Sequence, residues 1–504
     1  MEFVPFLILL CLFLCACFYI LTSILLPQRP ANLPPGPPPL PIIGNILQLG
    51  QNSHQTLAKL SKIYGPLMHL KLGIIDAIVV SSPELAKQVL QTHDQVLSSR
   101  FHQAATDVDG HNKVSMVWLP AASRWRVLRK ICKDQMFSLQ RLDASQGLRR
   151  EKLKKLRDYV QECCDSSRVL AIADAAFITS LNLISASMFS MDLGEFSSDS
   201  SQEFKDIVNG LMYAVGTPNL ADYFPVLKPI DPQGLKRKSA LYFRKARRIF
   251  DDIIDQRLKG SESKNDLLEA LLDMNRNNES ELTRSDMTHL LLDLFVAGID
   301  TTATTVEWAM AELVRNPKKM AKARNELQTV IGEKGQVEES DISRLPYLQA
   351  VFKETLRLHP AGPLLVPHKA EADTEINGYI VPRNSQILVN IWAIGRDSSI
   401  WTNPVSFEPE RFLDSKMDIR GQDFELIPFG SGRRICPGMP LAYRMVHLVV
   451  ASLIHNFDWK LEQGIKPQEL DMKEKFAFSL KKAVPLQAVP VKLRVRDISE
   501  QITM

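Results

Sequence analysis

The sequence predicts a mostly α-helical fold with a minor β portion, and three observations carry that reading. Apolar residues recur at helical spacing over long stretches, at 148–163, 239–259, 284–315, 317–331 and 345–358. Strand-like runs are few and short. Residues 67–72 and 77–80 are joined by Gly73-Ile-Ile-Asp, and 376–381 and 386–389 follow much later. No internal repeat occurs, and the polar stretch 260–266 is too short to separate domains. With 504 residues the chain has the length for one large domain or for two or three smaller ones.

Taken in order, residues 3–26 form an apolar run without a charge. About twenty such residues cross a bilayer as a helix. A cleaved signal peptide has a basic start and a shorter apolar core. Here only Glu2 precedes the run, so an uncleaved transmembrane anchor over 3–26 is expected. Arg29 follows the run and no basic residue precedes it, which places the C-terminal bulk in the cytosol. Prolines then crowd residues 27–39. They fix φ and remove donors, so 27–41 reads as a stiff extended hinge. Asn278-Glu-Ser is a glycosylation sequon, unused if this part is cytosolic.

Bulk properties narrow the function classes. A net charge of +4 is too small to argue for nucleic acid, and no zinc-finger, P-loop or dinucleotide-binding glycine pattern appears. Seven cysteines without paired spacing argue against a disulfide framework and for a reducing compartment.

Four constellations carry chemistry. In Phe429-Gly-Ser-Gly-Arg-Arg-Ile-Cys-Pro-Gly438 a lone Cys436 sits among glycines and arginines, directly before an apolar run of helical length. Cations, backbone N–H groups and a helix N-terminus all favour a thiolate, and a thiolate ligates haem iron. Trp125 and Arg129 lie four apart in the basic stretch 124–133. They share a helix face and present an indole N–H and a guanidinium to one carboxylate, although a solvated basic helix has the same pattern. Ala297-Gly298-Ile-Asp300-Thr301-Thr302 interrupts the strongest helical pattern with residues that are locally unfavourable. Such breaches mark functional positions, and an acid beside a hydroxyl suits proton delivery. Glu354 and Arg357 lie three apart on one face, and Pro409-Glu-Arg-Phe supplies Arg411.

These motifs, in this order, resemble those of the cytochrome P450 family over nearly the whole chain. The cysteine stretch resembles the family's haem-binding signature, Trp125-x-x-x-Arg129 its propionate clamp, 297–302 its acid-alcohol segment, and Glu354, Arg357 and Arg411 its structural triad. The resemblance implies one large haem domain of the P450 fold over 42–504, with haem b bound through the thiolate of Cys436. It implies cofactor contacts from Trp125, Arg129, Arg434, Phe429 and Gly298, with Gly298 leaving room for a diatomic ligand. Proton delivery would fall to Asp300 and Thr301. After Leu364-Leu-Val-Pro367 the family often has an arginine that reaches a propionate. Here His368 stands instead, with a charge that depends on pH.

Function follows from the same resemblance. Anchor and hinge match microsomal members, which implies a single-pass protein of the endoplasmic reticulum membrane with its catalytic domain in the cytosol. The chain has no flavin or nicotinamide site of its own, so NADPH-cytochrome P450 reductase is implied as electron donor and O2 as co-substrate. The cations around Trp125 would suit an acidic donor. Stretches 123–130, 218–225 and 423–430 resemble the plant terpenoid-hydroxylase branch that includes geraniol 8-hydroxylase. That branch also holds diterpenoid oxidases and tyrosine hydroxylases. The expected pocket residues Val296, Ala297, Leu364, Leu365, Val366 and Phe478 are apolar. They favour a small apolar terpenoid, a monoterpenol such as geraniol or a diterpene, over tyrosine or another phenol. A haem-thiolate isomerase or dehydratase and a non-enzymatic haem carrier are the rivals. The intact Asp300-Thr301 counts against both.

Overall fold

A computed structural model describes residues 9–14, 16–17, 32–196, 199–260, 264–277, 282–332, 335–462 and 464–493. Of the expected anchor, only 9–14 and 16–17 are included, and they are helical. The rest of 3–26, hinge residues 27–31 and the sequon Asn278-Glu-Ser lie outside the described residues.

Helices build most of the molecule. In chain order the ones used below are α1 (Ser53–Tyr64), α2 (Ser123–Cys132), α3 (Gln146–Asp165), α4 (Ile172–Phe189), α5 (Asp199–Gly216), α6 (Leu235–Lys259), α7 (Arg284–Arg315), α8 (Pro317–Ile331), α9 (Pro346–Leu358) and α10 (Met439–Asn456). The strands used below are β1 (Leu67–Leu72), β2 (Ile75–Val80), β3 (Ser99–Arg100), β4 (His368–Lys369), β5 (Gln386–Val389), β6 (Glu474–Phe476) and β7 (Leu480–Lys482).

The axis of the fold is α7, 32 residues long. Thr283 and Asp286 form a reciprocal capping box that satisfies its first free N–H groups. Pro317 opens α8 directly after α7 ends at Arg315, because a proline needs no donor at a helix start. The helix runs through the locally unfavourable residues 297–302, as the 284–315 pattern suggests. Thr301, Thr302 and Thr305 return their hydroxyls to the carbonyls of Ala297, Gly298 and Thr301 at 2.7–2.8 Å, so they do not compete with the helical ladder. Helix α4 packs along α7. It is apolar enough to span a membrane, with a mean hydropathy of 1.4, yet 83% of it is buried inside the protein. It is therefore a core helix, of the kind that is hydrophobic all round.

One mixed five-stranded sheet has the order β1-β2-β5-β4-β3. Strands β1 and β2 pair antiparallel in the register Leu72↔Ile75 to Leu67↔Val80. The turn between them is Gly73-Ile74, two residues shorter than the sequence suggests. Gly73 takes φ +59, which lets a two-residue turn close and puts Asp76 opposite Lys71 in an ion pair of 3.1 Å. Parallel pairing of β2 with β5 (Ala77↔Gln386) ties the N-terminal hairpin to the distant 386–389 segment. Ile78 and Val80 enter one core cluster while Ala77 and Val79 enter another, so both faces of the sheet are buried. The 376–381 stretch is a small hairpin turning at Asn377-Gly378, both with positive φ. All described cysteines are unpaired.

Candidate functional site

Residues 429–438 form a loop that ends at the N-terminus of α10 and faces α7. The Cys436 amide donates to the Phe429 carbonyl at 3.0 Å, which closes the loop on itself. Gly432 lies at φ +65, and a Cβ there would sit 1.9 Å from the Leu90 carbonyl oxygen, so only glycine fits that approach. Burial pushes the Cys436 thiol up, while the Gly438 and Met439 amides and Arg129 pull it down. A buried sulfur against two amides and a guanidinium is well suited to charge once a metal takes the place of its proton.

The two arginines before the cysteine do not face the sulfur. Arg433 turns outward to Asp94 at 3.0 Å. Arg434 donates to Ser98 at 2.8 Å and to the Leu119 carbonyl, with its guanidinium 4.8 Å from the Trp125 ring centre. Arg129 is the cation nearest the loop. It donates to the Ile435 carbonyl and lies 5.8 Å from the same ring. A third guanidinium, Arg100, was invisible in the sequence. It is fully buried, donates to Val366 at 2.5 Å, and its Nε has no partner. Burial holds all three below the usual arginine range, with repulsion from neighbouring arginines adding to it at Arg100 and at Arg434, which sits at about 10. Among the described residues none of the three has a carboxylate partner.

His368 pairs with Arg100 across β3 and β4, but its ring gives Nδ1–H to the Leu97 carbonyl at 2.7 Å. Burial and the adjacent Arg100 push its pKa far down, so the ring is neutral. A neutral ring has one N–H, already used, and His368 has none left for a carboxylate. The buried cation at that place is its strand partner Arg100.

Between α7 and the loop lies a narrow apolar cavity lined by Phe137, Leu183, Ala297, Thr301, Phe429 and Cys436, among others. Gly298 lines it as well, but the space of its missing side chain is taken by Ile184 Cδ1, which a Cβ would meet at 2.9 Å. That glycine allows α4 to close on α7 and leaves no extra room there. Haem is a flat apolar ring carrying two carboxylates. An apolar slot with a cysteine in its wall, and three cations without carboxylate partners in the segments around it, suit that group.

A second chamber shares Val117, Asp293, Ala297 and Thr301 with the slot and extends away from Cys436. Val296 and Phe478 line it, as expected. Leu364 and Leu365 instead line a third cavity beneath the sheet, which Phe478 also borders. Val366 lines none of these and offers its carbonyl to Arg100.

Asp300 is buried and does not line the slot. Its carboxylate accepts from Ser479 Oγ and Lys481 Nζ beside β7. Lys481 is partly exposed and also donates to Asn209 at 2.7 Å. Neither Ser479 nor Lys481 stood out in sequence. The triad does assemble: Glu354 accepts from Arg357 at 2.7 and 2.8 Å and from Arg411 at 3.1 Å, wholly buried. It does not touch the cysteine loop. Arg357 and Arg411 grip the carbonyls of Gly395, Thr402, Pro404 and Ser406, so the triad pins the segment leading to the loop. The loop itself is held from 88–97, by Leu90, Gln91 and Asp94.

Known proteins give the same picture. The cytochrome P450 family model matches residues 34–486. The chain is similar to cytochrome P450 76T24 of Catharanthus roseus, with 59% identity over 95% of this chain and 97% of that protein. Ferruginol synthase of Isodon rubescens is 53% identical over 95% of this chain and 99% of its own length. For geraniol 8-hydroxylase of Swertia mussotii the figures are 51%, 92% and 95%. With a cysteine facing an apolar slot, cations that lack counter-ions, and these relatives, the chain belongs to the cytochrome P450 family.

Proposed function

We propose that the protein is a haem-thiolate monooxygenase that hydroxylates a small apolar plant terpenoid, a monoterpenol or a diterpene. It uses O2 and electrons that NADPH supplies through a separate cytochrome P450 reductase. The observation that carries this reading is the meeting of Cys436, Thr301 and a largely apolar chamber at one slot. Its relatives ferruginol synthase and geraniol 8-hydroxylase support it.

Haem b, held through Cys436, supplies the reductive activation of dioxygen. The protein's own residues do the rest. Arg100, Arg129 and Arg434 give the propionates their counter-charge, and Trp125 backs Arg434. Phe429 covers the slot. Thr301 lines both slot and chamber, so its hydroxyl holds water where substrate and oxygen meet. Asp300 and Lys481 carry protons from the surface toward Thr301, since Lys481 reaches solvent and Asp300 is its buried partner. Apolar walls exclude bulk water and orient substrate by shape.

Residues 3–26 form the membrane anchor, 27–41 the hinge and 42–504 the haem domain, with the domain on the cytosolic face of the endoplasmic reticulum. Ile42, Ile74, Val226 and Ile230 support this arrangement. All are exposed, and they gather where Gly73 pairs with Ile43 and Ile74 with Tyr223, close to where the hinge enters.

The test is a panel of monoterpenols, diterpene olefins and tyrosine, incubated with reductase and NADPH and read by mass. One added oxygen on a terpenoid, dependent on air and NADPH, is the expected result. Product without either points to the isomerase or dehydratase rival. Oxygenation of tyrosine alone overturns the terpenoid substrate.

A further inference from the structure

The chamber beyond the slot has one polar corner that the mechanism does not use. Asp293 stands on α7 at the same face as Ala297 and Thr301, four and eight residues before them, and all three line the chamber. It is fully buried and has no lysine or arginine partner among the described residues. Ser115 Oγ lies 2.8 Å from both carboxylate oxygens, and the Met116 amide donates at 2.8 Å. The Val117 amide also faces it. A carboxylate offers about four acceptor positions, so these three donors leave one unused.

His111 completes the corner. Its Nε2 is 3.4 Å from Asp293 Oδ1, too long for a good hydrogen bond. Its Nδ1 is 2.8 Å from Nδ1 of His289, and only one proton fits between two ring nitrogens. Both imidazoles are neutral, since burial pushes His111 to about 3 and His289 to about 4. The result is a polar pair on the wall of an otherwise apolar space, slightly too far apart to satisfy each other.

We infer that His111 and Asp293 recognise a hydroxyl group on the substrate, docking it at the far end of the chamber and presenting the opposite end of the carbon skeleton beside Thr301. A hydroxyl both donates and accepts, so one group serves the carboxylate and the ring together. An ether or a hydrocarbon at the same place leaves the pair unsatisfied in a buried site. Along α7 the rise from Asp293 to Thr301 is about 12 Å at 1.5 Å per residue, roughly the length of an extended ten-carbon alcohol. The corner therefore selects oxygenated terpenoids and directs oxidation away from the existing hydroxyl. The inference rests on the terpenoid reading above and adds the functional group and the end attacked.

The experiment titrates the ferric holoenzyme with geraniol, its methyl ether and the deoxy hydrocarbon of the same skeleton, following the Soret shift. Geraniol should bind about tenfold more tightly than the ether or hydrocarbon, the upper range of one buried hydrogen bond. His111→Phe should bring the three within about threefold of one another, while melting temperature and carbon monoxide spectrum stay as in the parent. Asp293→Asn tests the other partner. If it misfolds because residues 115–117 lose their acceptor, His111→Phe decides alone. Product analysis should place new oxygen at the end remote from the hydroxyl, and His111→Phe should scatter it. Equal binding of all three probes by the parent overturns this inference and leaves the terpenoid reading standing, provided all are oxidised. Discrimination that survives in a well-folded His111→Phe also overturns it. If no probe shifts the band or is oxidised, this inference is overturned, and the terpenoid reading is then decided by the diterpene olefins of the panel above.

Discussion

A guanidinium buried without a carboxylate is costly, and three of them meet beside the slot that Cys436 lines. An anionic cofactor would supply their missing counter-charge, so cofactor retention is where each should be felt. Arg100→Gln removes one cation without opening a large void. It should speed haem loss to an apo-haem acceptor about tenfold, in line with one lost charge-assisted bond. Unchanged loss would remove Arg100 from the cofactor site. Glu354→Ala strands the buried guanidinium of Arg357 and leaves half-buried Arg411 with Glu408 alone. It should lower stability by about 3–5 kcal/mol and leave little haem-loaded protein, as read by denaturant melts and haem absorbance. Thr301→Ala should divert reducing equivalents to hydrogen peroxide, seen as NADPH use without matching product. Equal coupling in mutant and parent would contradict the role given to its hydroxyl. At this scale the sequence revealed what lies within a short motif. Cys436, the Trp125–Arg129 pair and the Glu354–Arg357 face follow from local spacing. Arg100, Ser479 and Lys481 do not, because strand pairing and a hairpin bring them in from far along the chain.

Elements were legible in proportion to their amphipathicity. Helix α8 has the bounds its amphipathic pattern suggests, and α7, buried nearly all round, is marked instead by its capping box and by Pro317 just beyond its end. Helix α4 escaped notice for the opposite reason: it is buried on all sides and has no period to detect. The strands β3 and β4, two residues each, are defined only by their partners. Between α7 and the C-terminal hairpin lies a seam of buried acids, and one of them makes stability depend on pH. Burial raises Glu307 to about 7 against a usual value near 4.5, although the Leu486 amide and nearby lysines pull it down. A carboxyl whose folded pKa is raised binds its proton more firmly folded than unfolded. Its contribution is present below the unfolded value and is lost as pH rises through about 7. Relative to Glu307→Gln, the parent should therefore lose stability on the order of 1 kcal/mol per pH unit across that window. Melting temperatures of the two proteins should diverge from pH 5 to pH 8. Parallel profiles would show that Glu307 does not titrate there.

The whole molecule is a helical body set on a small sheet; helices and the 429–438 loop wall the functional slot, while the sheet borders the third cavity. Sequence motifs anticipated this architecture through the family resemblance, since periodicity alone left open whether one domain or several would form. What periodicity could not supply is the division of the interior into slot, chamber and a third cavity, because cavity walls are drawn from many separate segments. The same limit applied to His368, whose role depends on Leu97 and Arg100 and not on its place after Pro367. At this scale the anchor proposal is directly testable. Removing residues 1–26 should leave haem content intact and shift most of the protein from the membrane fraction. An unaltered distribution would assign membrane attachment to the apolar surface around Ile74 and Ile230 instead.

All of this depends on iron bound through the sulfur of Cys436. The most direct measurement is the absorption spectrum of the dithionite-reduced holoenzyme under carbon monoxide, alongside Cys436→Ser. The account predicts a strongly red-shifted Soret band in the parent and its loss in the variant. A correctly folded, haem-loaded parent without that band, or a variant that keeps it, would contradict the account.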